Sequence, residues 1–445
     1  MTLQDDALNY HAQPIPGKLG IAPTKACATQ QDLSLAYTPG VAVPCLEIAK
    51  NPDDVYKYTN RGNSVAIVSD GTAILGLGAI GPMAGLPVME GKAVIFKKFA
   101  DIDAYPLCMD FSHCETPEKK FDVFVDAVRV LEPSFAGINL EDIAAPLCFD
   151  LQVKLDGLMG IPAFHDDQDG TAIIISGGLM NALKVIGKKL SEVKIIFNGA
   201  GAAGIACARQ IMRMGARKEN ISMCDSKGLI TDKRADINEH KKEFAQPAAN
   251  YKVEMPGLGD AIEGMDVFIG VSVAGALKPE MVSKMNKDSI IFAVANPVPE
   301  IMPDEAYAAG ARLVATGRSD FPNQVNNALG YPGIFRGALD TRAVSVNEAM
   351  KVAASEAIAS LIDEPVEGLV KELLVKAYPK EAAIFDAQVP LSEKYIIPKQ
   401  FDLRVVPRVA RMVAKSAMES GVARFKIEDL DAYEKSVFER VRRNW

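Results

Sequence analysis

The sequence feature that most constrains the fold is a glycine-rich loop between an apolar run and a helical pattern. The loop has the sequence Gly199-Ala200-Gly201-Ala202-Ala203-Gly204. It follows the apolar run 194–198, and residues 205–214 have the apolar spacing of a helix. A second apolar run, 221–224, leads to Asp225, which lies 26 residues after Gly199 (225 − 199). This order is typical of a dinucleotide site, where the glycines admit a pyrophosphate to the helix N-terminus and the acid binds a ribose.

Apolar runs and helical patterns continue to alternate after this loop. Residues 170–187 predict a helix, and further strands are predicted at 266–271, 289–295 and 312–315. We therefore expect an α/β protein whose residues 166–445 form a Rossmann-like domain, with a doubly wound parallel sheet and C-terminal helices. Residues 343–362 show the clearest helical spacing of that C-terminal part. Residues 1–165 are expected to form a separate N-terminal α/β domain.

The N-terminal part contains a second match to the glycine pattern, at residues 76–81. It follows two short runs, 64–69 and 72–75, that predict a hairpin through Asp70-Gly71. Pro87 is expected to break the helix after this motif. We therefore assign the cofactor to the loop 199–204 and interpret the first motif as a tightly packed turn. The remaining patterns predict a helix at 121–131 and strands at 92–99, 135–140 and 161–164.

Two pairs of acids follow predicted strands. Glu141-Asp142 follows the run 135–140, and Asp166-Asp167 follows 161–164. If the two strands are neighbours, four carboxylates converge, and oxygen ligands of this kind suit Mg²⁺ or Mn²⁺. Two solvated acidic loops are the alternative, and the local pattern leaves both interpretations open.

Composition excludes several classes of protein. The net charge of −8 and the pI of about 5.3 give no basic face for nucleic acid. The seven cysteines form no C-x-x-C pair, so we expect free thiols in a reducing cytoplasm. The acidic start of the chain predicts no signal peptide, and no run approaches the ~18 apolar residues of a membrane span.

Six segments together resemble one family. They read YTPGVA at 37–42, SDG at 69–71 with ILGLG at 74–78, EGKAV at 90–94, NLEDI at 139–143, FHDDQ at 164–168 and SDFPNQVNN at 319–327. In this order they resemble bacterial-type malic enzymes, from about residue 15 to about residue 425. The resemblance implies oxidative decarboxylation of malate to pyruvate and CO₂ with NAD(P), a divalent metal, Mg²⁺ or Mn²⁺, and a homodimer in the cytoplasm.

The resemblance also implies roles for individual residues. Tyr37 matches the general acid, Lys92 the general base, and Asp166 the acid that supports the base. Three further carboxylates match the metal ligands, namely Glu141, Asp142 and Asp167. The substrate contacts match Lys92, Asn296, Asn326 and Asn327. The cofactor contacts match Gly199 to Gly204, Asp225, Ser226, Lys242 and Asn296.

The choice of cofactor has signals in both directions. Asp225 favours a free ribose hydroxyl and therefore NAD. Ser226, Lys227 and the pair Lys241-Lys242 favour a 2′-phosphate, and NADP-linked family members tend to have a Ser and a Lys near Ser226 and Lys242. We therefore expect NADP as the preferred cofactor, with NAD as the alternative.

Two positions depart from the family pattern. Larger members have an Arg where this chain has Ala73, and many relatives have a His where this chain has Asp169. The asparagines and the metal are expected to replace the missing Arg. Some members also carry a C-terminal acyltransferase-like domain, for which we expect no counterpart in this chain.

Two other functions fit parts of the pattern. An amino-acid dehydrogenase also combines a catalytic Lys with a Rossmann domain, but it needs no metal. A nucleotide-sensing regulatory protein would bind NAD(P) without turnover. The acidic cluster favours the metal-dependent enzyme over both.

Overall fold

The computed structural model describes residues 2–445, and its first helices are unusually exposed. They are α1 (Leu3–Ala12), α2 (Gln30–Ala36), α3 (Ala42–Lys50) and α4 (Val55–Tyr58). None of the four contains a buried residue. We call residues 2–50 the N-terminal arm.

Four parallel strands form the first sheet, in the order β2-β1-β3-β4. Its elements are β1 (Ser64–Ser69), α5 (Pro82–Ala100), β2 (Asp103–Cys108), α6 (Pro117–Arg129), β3 (Gly137–Leu140), α7 (Leu147–Leu158) and β4 (Ala163–His165). Every residue of β1 is buried, as expected for a central strand covered on both faces. Because β3 and β4 are parallel neighbours, the acids that follow them lie at the same edge of the sheet.

Three predictions in this region were wrong. Residues 92–99 belong to the helix α5 rather than to a strand, and 72–75 form no strand beside β1. A continuous apolar run does not distinguish a buried strand from a buried helix. Pro87 does not end the helix, because Pro87 and Met83 lie on its exposed side. Water can therefore solvate the Met83 carbonyl that loses its helical partner.

The second sheet has six strands in the order β10-β9-β8-β5-β6-β7, all parallel except β7. In chain order, its elements are α8 (Thr171–Ile186), β5 (Ile195–Asn198), α9 (Ala202–Arg213), β6 (Ile221–Asp225), β7 (Gly228–Leu229), α10 (Glu239–Lys242), α11 (Leu258–Ala261), β8 (Val267–Gly270), α12 (Pro279–Val282), β9 (Ile290–Ala293), α13 (Pro303–Ala308) and β10 (Leu313–Thr316). The expected α/β class with a doubly wound parallel sheet is confirmed. The strand order reverses between β5 and β8, where ligands bind in folds of this kind.

The C-terminal helices complete the core. They are α14 (Tyr331–Asp340), α15 (Glu348–Ser360), α16 (Gly368–Ala377), α17 (Val405–Glu419) and α18 (Leu430–Arg442). Gly333 and Gly337 let α14 approach α17 closely, since a Cβ atom on Gly337 would lie 2.6 Å from the Ala410 carbonyl oxygen.

The expected boundary at residue 165 falls between the two sheets. However, α14 and α18 pack back onto α5 of the first sheet. Arg440 of α18, for example, donates to Asp101 at 2.9 Å. The division into residues 1–165 and 166–445 therefore stays a prediction.

Among the described residues, one helical stretch is long and apolar enough to cross a membrane. It covers Asp166–Ile186, and 72% of its apolar window is buried inside the fold. This burial is typical of a core helix.

Candidate active site

Lys92 lies at the centre of a buried cluster of charges at the carboxyl edge of the first sheet. It projects from α5, and its Nζ lies 2.7 Å from Glu141 Oε1 and also donates to Asp166 Oδ2. Glu141 and Asp166 follow β3 and β4. The structure therefore brings together three residues that the sequence separates by up to 74 positions.

The charge state of Lys92 differs from the expectation for a base. Burial alone would lower the pKa of Lys92, but the carboxylates of Asp166 and Glu141 outweigh burial and hold it well above its ordinary value. Lys92 is therefore an ammonium group in this arrangement. It becomes a base only when another positive charge offsets these carboxylates.

Three carboxylates next to Lys92 have the geometry of a cation site. One ligand oxygen each of Glu141, Asp142 and Asp167 lies within 4.8 Å of the others. Asp142 Oδ2 is buried and has no hydrogen-bond partner among residues 2–445. Burial first, and then charge repulsion among the carboxylates, raises the pKa of all three residues. Three clustered carboxylates, one of them with a buried oxygen that lacks a protein partner, fit a hard divalent cation such as Mg²⁺ or Mn²⁺.

Backbone contacts hold these acids in place. Asp142 has a positive φ of 53°, and its amide donates to Asp167 Oδ2 at 2.7 Å. The amide of Ala73 donates to the Asp142 carbonyl at 3.0 Å. Ala73, which stands where larger family members have an Arg, thus supports the segment Glu141-Asp142 through its backbone amide.

His165 lies beneath the cluster. It is fully buried, and neither ring nitrogen has a hydrogen-bond partner in residues 2–445. Burial lowers the pKa of His165 to about 4, so its ring is neutral. Its Nδ1 lies 3.8 Å from Asp167 Oδ2. It packs against the site.

The loop 199–204 has the shape that a dinucleotide requires. Gly199 has a φ of +122°, and a Cβ atom on it would lie 2.4 Å from the Val271 carbonyl oxygen. A Cβ on Gly204 would lie 1.9 Å from the Gly199 carbonyl oxygen, whereas Gly201 faces open space. The first and third glycines therefore permit close backbone packing, and the second leaves room for a pyrophosphate.

The loop borders a cavity of about 550 Å³. Its lining also includes Asp225, Ser226, Asn238, Lys241 and Ser272. Asp225 accepts from Arg234 at 2.7 Å and 3.1 Å, and from Lys241 Nζ at 2.7 Å. These contacts outweigh burial and lower the pKa of Asp225.

Lys242 does not line this cavity. Its side chain is 54% exposed and pairs with Glu239. Arg234, which the sequence analysis missed, contacts Asp225 instead. Its position nine residues after Asp225 carries no recognised motif.

The predicted asparagines lie at other edges of the site. Asn327 packs beside Gly170, after the acidic pair, while Asn326 Oδ1 caps a short turn by accepting from the Ala328 amide at 2.9 Å. Asn296 follows β9 and lies against Gly317 at the end of β10. Their contacts with substrate or cofactor stay predictions.

Tyr37 is separate from the cluster. It ends α2 on the N-terminal arm and is 71% exposed. Within residues 2–445, no hydrogen bond joins it to Lys92 or to the carboxylates. Its role as the acid stays a prediction.

A different tyrosine, Tyr331, contacts Lys92. The Lys92 Nζ lies 4.1 Å from the Tyr331 ring centroid, and Tyr331 is fully buried. The sequence analysis did not identify it, because 239 positions separate the two residues and no motif marks Tyr331.

The family models and the individual relatives that match this chain all carry the same family name. The family model "Malic enzyme, N-terminal domain" matches residues 16–156, and "Malic enzyme, NAD binding domain" matches residues 168–372. The NADP-dependent malic enzyme of Haemophilus influenzae is 50% identical and covers 97% of this chain and 54% of its own length. The bifunctional malic/malolactic enzyme of Bacillus subtilis is 51% identical and covers 98% of each chain.

A solved structure agrees with these sequence matches. The malic enzyme from Pyrococcus horikoshii has a TM-score of 0.85 and 42% sequence identity, and covers 100% of this chain and 96% of its own. The chain spans about half the length of the Haemophilus influenzae relative, and nearly the whole length of the Bacillus subtilis relative.

Proposed function

The chain belongs to the malic enzyme family, and we propose that it oxidises malate with NADP, or NAD, and releases pyruvate and CO₂. The observation that carries this proposal is the buried Lys92 between Glu141 and Asp166, beside a three-carboxylate cluster. A base can remove the hydroxyl proton of a hydroxy acid, and a cation beside it would stabilise the negative charge that develops during oxidation and decarboxylation. The matched relatives are named malic enzymes, which supports the same reaction.

The three carboxylates would hold a divalent cation, Mg²⁺ or Mn²⁺. A cation at Glu141, Asp142 and Asp167 would stabilise the negative charge that develops on the substrate oxygen. It would also offset the carboxylates that raise the pKa of Lys92.

In this proposal the residues of the chain move the protons. Lys92 accepts the proton of the malate hydroxyl, and Asp166 hydrogen-bonds the resulting ammonium group. With the hydride of malate C2 passed to NADP, the oxaloacetate that forms loses its β-carboxyl as CO₂ to give enolpyruvate. Tyr37 donates a proton to the enolpyruvate carbon as the general acid. Asn296, Asn326 and Asn327 bind the substrate.

The reaction can be tested against the other candidate enzyme. Initial rates of NADP reduction should be high with malate and Mn²⁺ and negligible with amino acids. A dehydrogenase of amino acids would show the opposite preference and would keep its activity in EDTA. NAD(P) binding without turnover of any substrate would indicate the regulatory protein.

We propose NADP as the preferred cofactor, bound at its 2′-phosphate by Lys241 and Arg234. Both cations lie within 3.1 Å of Asp225, whose negative charge they balance. Lys241 lines the cavity, and Arg234 contacts Asp225 in the cavity lining, whereas Lys242 pairs with Glu239 outside it. Asn238, which also lines the cavity, caps α10 and positions Lys241.

Lys241→Ala and Arg234→Gln should each raise the Michaelis constant for NADP and leave that for NAD almost unchanged. Hydrogen bonds to charged groups are worth ~1.5–3 kcal/mol, so the increase should be ~10–150-fold. Steady-state kinetics with both cofactors measures it, with Lys242→Ala as the matched control. An equal loss for NAD and NADP would reject the assignment.

We also propose a homodimer in which a second copy covers the N-terminal arm. Leu35 and Val43 are 66% and 65% exposed, and so many exposed large apolar side chains on one arm favour a protein partner. The position of Tyr37 on the same arm ties its proposed role to this assembly. A cytoplasmic location fits the seven free cysteines.

The paired substitution Leu35→Glu/Val43→Glu should convert the dimer to a monomer, because it places charges in the covered surface. Sedimentation velocity measures the change. Val130→Glu, at the 74% exposed residue that follows α6, is the control and should leave the dimer intact. A monomeric wild type, or a dimeric double variant, would contradict this proposal.

A further inference from the structure

A buried ion pair supports the turn that carries the acids Asp166 and Asp167. This turn, Asp166–Gly170, is π-helical and joins β4 to α8; we call it the acidic turn. Its Asp169 is buried, and accepts from Gln152 Nε2 at 2.5 Å and from Lys351 Nζ at 2.8 Å. Gln152 belongs to α7 and Lys351 to α15, so the turn is fixed from two sides.

Lys351 depends mainly on Asp169 for its charge balance. It is only 7% exposed. Its other acidic partner, Glu348 Oε1, lies farther away at 3.2 Å and belongs to a side chain that is 51% exposed. Removal of either partner of a buried pair leaves the other charge without compensation. The surroundings of that charge must then rearrange.

The acidic turn has little room for such a rearrangement. A Cβ atom on Gly170 would lie 1.9 Å from Asp166 Oδ1, so the Asp166 side chain lies directly over the Gly170 backbone. Asp166 also contacts Lys92, and Asp167 accepts from the Asp142 amide. A displacement of Asp169 would therefore change the positions of the base and of one proposed metal ligand.

We infer that Asp169 and Lys351 form a positioning pair that holds the acidic turn in its metal-binding geometry. The inference rests on the proposed function, because it concerns the metal site of that function. It gives a role to Asp169, the position at which this chain departs from many relatives. The Lys351 ammonium group offsets the negative charge of Asp169, which lies close to the three carboxylates of the proposed metal site.

The simplest alternative is that the pair only stabilises the fold. The chain offers a matched control for this alternative. Lys399 is 5% exposed, and its Nζ lies 2.6 Å from Oε2 of Glu381, whose side chain is 21% exposed; within residues 2–445 neither side chain hydrogen-bonds to the acidic turn. Lys399→Met and Lys351→Met therefore both remove a buried lysine charge, but only the second affects the turn.

The test measures the Kd for Mn²⁺ by isothermal titration calorimetry and the Tm of the metal-free protein for each variant. We expect Lys351→Met and Asp169→Asn to raise the Kd by roughly 10–100-fold, the range found for partners that orient metal ligands. Lys351→Arg keeps the ion pair and should restore binding. Lys399→Met should lower the Tm and leave the Kd at the wild-type value.

Gln152→Leu is a milder variant in case the charged substitutions prevent folding. It removes one hydrogen bond to Asp169, keeps the ion pair, and should still raise the Kd for Mn²⁺. Wild-type Kd values in Lys351→Met, Asp169→Asn and Gln152→Leu would overturn the inference, even if their Tm values fell. A wild-type protein that bound no Mn²⁺ would instead reject the proposed metal site.

Discussion

Lys92→Ala should abolish malate oxidation, because it removes the lysine whose Nζ contacts both Glu141 and Asp166. A positioned proton-transfer group contributes ~10²–10⁴-fold to a rate. The loss should be at the upper end of that range, since the substitution also leaves two buried carboxylates without their cation. In the reduction of oxaloacetate by NADPH, the same lysine would donate a proton to the carbonyl oxygen, so this reaction should be lost as well. Steady-state rates in both directions measure the effect.

The control for Lys92 lies on the same helix. Lys97 of α5 is 52% exposed and pairs with surface acids, so Lys97→Ala should keep nearly full activity.

Tyr37→Phe should separate the two proton transfers. It should lose the exchange of pyruvate methyl protons with solvent, and most of the overall turnover, but retain oxaloacetate reduction. Lys92→Ala protein that reduced oxaloacetate at the wild-type rate would show that another group is the base.

Asp167→Asn should abolish activity at ordinary Mn²⁺ concentrations and recover part of it at high Mn²⁺. The substitution keeps the side-chain volume but removes one of three charges within a 4.8 Å cluster. The Kd for Mn²⁺ should rise at least about a hundredfold, because groups that only orient metal ligands are already worth roughly 10–100-fold. Activity as a function of Mn²⁺ concentration, together with calorimetric binding, measures both effects.

The control for Asp167 is an acid outside the cluster. Asp110→Asn also removes one negative charge, but from an exposed position, and it should leave the metal dependence unchanged. An Asp167→Asn enzyme with wild-type activity at the original Mn²⁺ level would remove Asp167 from the metal site.

The Rossmann part of the fold was predictable because its signals are local. The strand before Gly199, the helix after it and the strand ending at Asp225 all lie within about 30 residues, as a βαβ unit requires. The structure places each of them at the predicted positions. The meeting of Glu141 with Asp166 was predictable only on condition that β3 and β4 are neighbours, which the sheet confirms.

Other features depend on contacts that a sequence pattern does not encode. The apolar run after Lys92, residues 93–96, is only four residues long, which is too short for its period to reveal a helix. Tyr331, Arg234 and Lys351 each reach their sites from a separate element. Their partners are fixed by packing rather than by spacing. For the same reason, the sequence did not show that two cations balance Asp225.

The most direct test of the central claim is the stoichiometry of the reaction with malate, NADP and Mn²⁺. The proposal predicts one NADPH, one pyruvate and one CO₂ for each malate consumed, and no reaction after EDTA removes the metal. Restored Mn²⁺ should restore the same ratio. NADPH formation that continued in EDTA, or that yielded oxaloacetate without CO₂, would contradict the assignment of the Lys92 cluster as a metal-dependent decarboxylating site.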